Sequence, residues 1–394
     1  MSSPHPLPIE LSLERLGMFF DASHAPIAAR LTPENLAPLA RIHDAAEAAA
    51  ALGELGLYAY LVPESQGGAP VGKSKSPSYI DVRALVLIRE ALGQVSPLAD
   101  AIFAVQGLGS YPIVLAGSND QCGLYLPDII MGRRVAGFAL TEPEAGSDAG
   151  SLQTTAVRDG DGWILEGEKT LISNVPIAQY YVVFANADPS AGRRGITAFI
   201  VENGAPGLTV APIPMSIPHP IGRLRLERCR VSEEARVGGV GQGFKLAMQT
   251  LDAFRISVGG AANGMAQRAL ERAIHHVTQR RQFGAPLSEQ QLVRAYLAEM
   301  ATELEASRLL VARAAHRRDH GEPASMEAAM AKMYATEAAQ RIIDLSVQLH
   351  GGMGVALGTE VEELYREIRP LRIYEGTTEI QKMIIAKGLL SRSS

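Results

Sequence analysis

The sequence predicts an α+β chain of three domains in the order helical, β, helical. Three observations carry this. Ala- and Leu-rich segments with apolar positions three and four residues apart run to about residue 135. Alternating β-branched segments bounded by turn residues begin near residue 136, and longer amphipathic segments return from Gly243. The boundaries drawn are 1–135 for an N-terminal all-α domain, 136–237 for a middle β domain and 238–394 for a C-terminal helical domain.

In the first third, "ENLAPLARIHDAAEAAAALGELGL" and "YIDVRALVLIREALGQV" carry the helical spacing, and Pro and Gly clusters at 63–77 separate them. In the middle, "TTAVRDGDGWILEGEKT" places an Asp-Gly-Asp-Gly turn between two strands and predicts a hairpin. "YYVVFANA", "ITAFIVE", "LTVAPIP" and "RLRLERCRV" continue the strands. In the last third, Leu292, Tyr296, Met300 and Leu304 recur every four residues as one apolar stripe, and Met326, Met330 and Met333 read as core packing. Several such helices predict a four-helix bundle.

Hydrophobic residues at 47% and charged residues at 20% give a globular chain with an ample interior. A net charge of -5 without a long basic block argues against nucleic acid and anionic membrane as partners. Cys122 and Cys229 form no paired motif and fit a reduced compartment. The opening residues read as neither a signal nor a transit peptide, and no stretch reads as the ~20 apolar residues of a membrane span. A cytoplasmic enzyme is the expectation.

Most candidate sites have ordinary readings. His316 and His320 share a helical face but lack a third ligand, and His275 and His276 point apart, so no metal site is expected. The glycines of "GGVGQGF" and "HGGMGVALG" lack dinucleotide-fold spacing and suit helix ends. "FALTEPEAGSDAG" (138–150) is more specific, with hydroxyls at Thr141 and Ser147 and a permissive Gly146 in one turn. In "RIYEGTTEIQKMIIAKGLL", Thr378 with Gln381 fits a capping box for a helix to about Leu390. Glu375 lies outside that box, and no capping rule requires it.

These last two strings, with "RRQFGAPLSEQQ" (280–291) and "QLHGG" (348–352), resemble the acyl-CoA dehydrogenase family in order and spacing over nearly the whole chain. The resemblance implies the fold of that family, with a β-barrel or β-sandwich between helical domains. It implies FAD as cofactor, with Phe138, Leu140, Thr141, Gly146, Ser147, Leu171, Ser173, Thr377 and Glu379 as contacts. An aromatic residue is usual in the family where Leu171 stands. Arg280, Gln282, Phe283 and Gln291, with Gln348, Gly351 and Gly352, would reach the FAD of a neighbouring subunit, which implies a homotetramer built as a dimer of dimers. Ser147, Asp252, Arg255, Tyr374 and Gly376 would contact the acyl-CoA substrate. An electron-transfer flavoprotein is the implied electron acceptor.

Glu375 matches the family's catalytic base, which takes the α-proton while a β-hydride passes to flavin N5, leaving a trans-2-enoyl-CoA. The alternative base position of some members holds Phe254, which cannot abstract a proton. Asp100 matches the place of an Arg in members that act on dicarboxylic substrates. It reads as a solvated or capping residue rather than the mark of a polar or cyclic acyl tail. A same-fold oxidase or flavin monooxygenase, or a non-catalytic binding member, is the alternative function.

Overall fold

The computed structural model describes residues 9–72 and 79–391. The first eight residues of the opening stretch, and 73–77 of the Pro and Gly clusters, lie outside the described residues. Short helices α1 (Ser12–Arg15), α2 (Ala25–Arg30), α3 (Pro33–Leu36) and α4 (Ala45–Glu54) precede α5 (Val82–Val95), α6 (Pro97–Ala116) and α7 (Asn119–Ile130). Their starts follow capping chemistry. Asp44, Asp81, Ser96 and Ser118 each accept a hydrogen bond from a backbone N–H in the first turn of α4, α5, α6 and α7.

α6 differs from the sequence expectation. It is long and apolar enough to cross a membrane by length and composition, yet 94% of its apolar window is buried inside the protein. It is the central core helix of the N-terminal region, packed against α4, α8 and the first strand.

Strands β1 (Ala136–Ala139), β2 (Thr155–Asp159), β3 (Gly162–Ser173), β4 (Tyr180–Asn186), β5 (Ile196–Glu202), β6 (Leu208–Pro212), β7 (Ile221–Ser232) and β8 (Arg236–Val237) make one sheet. The order is β6-β7-β3-β2-β4-β5-β8, with β1 pairing parallel to β4. The predicted hairpin is β2–β3, which turns at Gly160 with φ 62°. Trp163, Leu165, Tyr181, Phe199 and Leu226 fill the sheet's own core.

The last region holds α8 (Gly243–Gln279), the short pair β9 (Arg281–Gln282) and β10 (Ala285–Pro286), and then α9 (Gln291–Asp319) and α10 (Ser325–His350). α11 (Glu360–Glu367) and α12 (Thr378–Leu390) complete it. The bundle core is built from small residues such as Ala262, Ala266, Ala331, Ala335 and Ala339, and it takes in Val82 and Val86 of α5. Met300 and Leu304 of the apolar stripe are buried, but Leu292 at its start is 70% exposed. Met326, Met330 and Met333 are half-buried rather than core. Alanine lets α8, α9 and α10 approach closely, so the longer methionines are left on the flank.

Candidate active site

A cavity of about 1170 Å³ opens between α6, the loop after β1, the end of β3, the start of α8 and the loop before α12. The loop after β1 is pinned by Glu142. Its buried carboxylate accepts from Gln153 N at 2.5 Å, Thr154 N at 2.9 Å and Lys169 Nζ at 2.7 Å. Burial alone would raise the Glu142 pKa, but Lys169 and these N–H groups hold it below the usual carboxylate range. Lys169, fully buried, is brought down to about 8 by its own desolvation despite Glu142. Opposite, β3 shifts register between Lys169 and Ile172, and Leu171 adopts φ 54°, which leaves its side chain 55% exposed on the cavity wall.

Glu375 stands on the far wall. It has φ 52° and Gly376 has φ 94°, two consecutive left-handed residues. A side chain at Gly376 would meet Gln381 Nε2 at 2.7 Å. Left-handed backbone at a glutamate costs about 1–3 kcal/mol and persists only where the surroundings impose it. Three helices do so. Arg255 Nε on α8 donates to Glu375 O at 3.2 Å, Lys332 Nζ on α10 to Gly376 O at 2.8 Å, and Gln381 Nε2 on α12 to Gly376 O at 2.8 Å. Asp252 in turn accepts from Arg255 at 2.7 Å.

The Glu375 carboxylate has an oxygen, Oε2, with no hydrogen-bond partner. Burial pushes its pKa up, and the positive charges of Arg89, Lys332 and Arg255 partly offset that rise. Among the described residues the Glu375 N–H donates to no group. A carboxyl group of raised pKa and a free N–H therefore meet on one cavity wall.

Two expectations are corrected here. The cap of α12 is Thr377, whose hydroxyl accepts from Ile380 N at 3.4 Å, and not Thr378. Thr378 instead donates to Glu337 at 2.7 Å, and Gln381 turns back to the Glu375–Gly376 carbonyls. With two adjacent threonines, the first-turn rule does not decide which one caps. Asp100 is not a solvated residue or a cap. It is 1% exposed and takes a two-pronged hydrogen bond from Arg89, at 2.8 and 2.9 Å, while Arg89 also donates to Ser257 at 3.0 Å. An unpaired guanidinium inside α5 would carry a large desolvation cost, and Asp100 supplies the compensating charge.

Phe138, Leu140, Thr141, Gly146, Ser147, Leu171, Ser173, Asp252, Arg255, Tyr374, Gly376 and Thr377 line the cavity with Glu375. Phe254 does not line it; it is buried against Tyr111, with ring centroids 5.9 Å apart. Glu379 is exposed and lies off the cavity. Arg280, Gln282, Phe283, Gln291, Gln348, Gly351 and Gly352 are all exposed and are not brought to the cavity by a single chain. They lie around the end of α8 and α10, where the rings of His276 and His350 meet at 4.3 Å. Phe283 there is 94% exposed. Sequence reasoning missed Arg89 and Lys332; an arginine within the apolar run "RALVLIREAL" was the available signal for the first.

Residues 14–133, 137–229 and 241–390 match the acyl-CoA dehydrogenase N-terminal, middle and C-terminal domains in turn. The chain belongs to the acyl-CoA dehydrogenase family. It is 38% identical over 385 residues to the mitochondrial short-chain specific acyl-CoA dehydrogenase of Homo sapiens, covering 97% of this chain and 90% of that one. It is 38% identical over 349 residues to subunit CarC of the caffeyl-CoA reductase-Etf complex of Acetobacterium woodii, covering 86% and 89%. The butyryl-CoA dehydrogenase structure from Megasphaera elsdenii superposes with a TM-score of 0.81 at 34% identity, covering 87% of this chain and 89% of that one.

As an acyl-CoA dehydrogenase the chain is an oxidoreductase that works with a flavin. The cavity fits such a group. Phe138, Leu140 and Ile172 offer apolar surface to a flat ring, and Thr141, Ser147 and Ser173 offer hydroxyls to its polar edge. Nothing lies within 4 Å of where a Cβ on Gly146 would stand, so a ligand can approach the backbone there.

Proposed function

We propose that Glu375 is the base that takes the α-proton of an acyl-CoA thioester, with FAD held in the same cavity. The observation that carries this is the half-buried carboxylate of Glu375 on the cavity wall, with one oxygen unpartnered and a raised pKa. Such a carboxylate is a stronger base than an exposed one, and excluding water as the thioester binds strengthens it further. The free Glu375 N–H is placed to donate to the thioester carbonyl as enolate charge develops, and the backbone bonds to Arg255, Lys332 and Gln381 keep that N–H from turning away. A flavin bound beside Phe138, Leu140 and Thr141 would supply the acceptor for the hydride that leaves Cβ.

Phe138, Leu140, Thr141, Ser173, Leu171 and Thr377 would surround FAD, and Ser147, Asp252, Arg255, Tyr374 and Gly376 would hold the acyl-CoA. The acyl tail is uncharged in this reading. Arg89, the cation beside Tyr374, is already satisfied by Asp100 and Ser257 and is not free for a distal carboxylate. The exposed residues from Arg280 to Gln291 and from Gln348 to Gly352 would complete the FAD site of a second copy, within a homotetramer. An electron-transfer flavoprotein is the proposed acceptor, supported by the name of the CarC relative's complex.

The test is to purify the protein, identify bound FAD after denaturation, and follow anaerobic bleaching with a panel of saturated acyl-CoA thioesters. Bleaching by neutral acyl groups and none by a dicarboxylic mono-CoA ester is expected. Failure to bind any flavin would refute the proposal. Reoxidation that is fast with an electron-transfer flavoprotein and slow with oxygen separates a dehydrogenase from an oxidase.

A further inference from the structure

Lys332, described so far as a donor to the Glu375–Gly376 turn, is completely buried in the middle of α10. An ammonium group is rarely taken out of water without a carboxylate partner. Among the described residues no carboxylate stands within ion-pair distance of Lys332, and its nitrogen donates instead to the carbonyl of Gly376 at 2.8 Å. That carbonyl belongs to the left-handed pair that carries Glu375, and it already has one donor in Gln381. The burial of Lys332 therefore serves the turn that carries Glu375 and not an ion pair. Its charge acts on the Glu375 carboxylate from behind the loop, as one of three cations that favour the ionised form.

We propose that Lys332 is a positioning residue for proton abstraction: it fixes the Glu375–Gly376 turn from α10, and its positive charge sets the basicity of Glu375. The inference rests on Glu375 being the base. The charged groups around the pair are Arg89 from α5, Asp100 from α6, Asp252 and Arg255 from α8, Glu337 from α10 and Glu379 beyond the turn, and the neutral phenol of Tyr374 stands beside it. Of these, Arg89 is matched by Asp100 and Arg255 by Asp252. Lys332 is the cation among them without a carboxylate at ion-pair distance, so its removal changes the field at Glu375 without leaving a partner charge unmatched. Burial brings Lys332 down to about 8, so it is charged over neutral and acidic pH.

The experiment uses the holoprotein and an acyl-CoA analogue with sulfur in place of Cβ. This analogue has α-protons but cannot yield a β-hydride. Exchange of its α-protons in D2O, read by mass spectrometry, reports proton abstraction alone. Lys332→Met should keep its flavin, slow exchange on the order of 10- to 100-fold, and move the acidic limb of the pH profile upward. The direction follows because the base works ionised, and loss of a neighbouring cation makes it easier to protonate. Wild-type exchange and an unmoved acidic limb in flavin-loaded Lys332→Met would overturn the proposal. Should the methionine variant fail to fold, Lys332→Gln removes the same charge, and an unmoved limb there is equally decisive. Glu375→Gln run alongside separates the two ideas. Exchange surviving in Glu375→Gln would sink the base assignment itself, whereas its loss there with Lys332→Met unaffected sinks only the role of Lys332.

Discussion

Replacing Asp100 with alanine tests how the closed side of the cavity is held. Arg89 and Asp100 meet through two hydrogen bonds at 2.8 and 2.9 Å, and both residues are no more than 1% exposed. Removing one member of a buried pair leaves the other charge uncompensated, which costs about 3–5 kcal/mol. Ser257, at 3.0 Å from Arg89, recovers only a fraction of that. An exposed or merely capping aspartate would cost about 1 kcal/mol or less. Urea unfolding of the holoprotein, followed by circular dichroism, distinguishes the two values. Arg89→Met with Asp100→Leu should restore most of the loss, because it removes both charges and retains the volume. The same substitution acts on the site. Asp100 raises and Arg89 lowers the pKa of Glu375, so Asp100→Ala should move the acidic limb of the activity profile to lower pH. A loss below about 1 kcal/mol with an unmoved limb would refute the buried-pair reasoning.

Gly107→Ala should destabilise the core where α6 crosses α8. The new Cβ would stand 2.1 Å from Phe254 Cε1 and 2.9 Å from Leu61 Cδ2, an overpacking cost of about 1–3 kcal/mol in the same unfolding assay. Lys169→Met leaves Glu142 buried with only its two N–H donors. A loss of about 3 kcal/mol in stability and weaker flavin retention on dilution are expected, since Glu142 anchors the loop that lines the cavity.

The order of elements was readable because period and composition change sharply near residues 136 and 243. Glu375 stood out in the sequence because no capping rule required it, and in the structure it lines the cavity. Arg89–Asp100 was hidden because their partnership joins the middle of α5 to the first turn of α6, and a charge on a helix does not reveal whether its face is covered. Lys332 was hidden for the same reason: a lysine in "AAMAKMYATEAA" reads as the polar side of an amphipathic helix, whereas its nitrogen is turned to the loop before α12. The capping rule placed the start of α12 to within one residue. The choice between Thr377 and Thr378 was made by Glu337, 41 residues away, which takes the hydroxyl of Thr378. The expected contacts between Arg280 and Gln291 lie exposed and away from the cavity, and no pattern in their own sequence places them relative to it.

The most direct test of the central claim is the rate of anaerobic flavin bleaching on rapid mixing with a saturated acyl-CoA, wild type against Glu375→Gln. The amide keeps the shape of the side chain and leaves the backbone bonds to Arg255, Lys332 and Gln381 available, so flavin content should be unchanged. With the base gone, bleaching should fall by at least about 10²- to 10⁴-fold. Bleaching at the wild-type rate in a flavin-loaded Glu375→Gln would contradict the account, because another group would then be taking the proton.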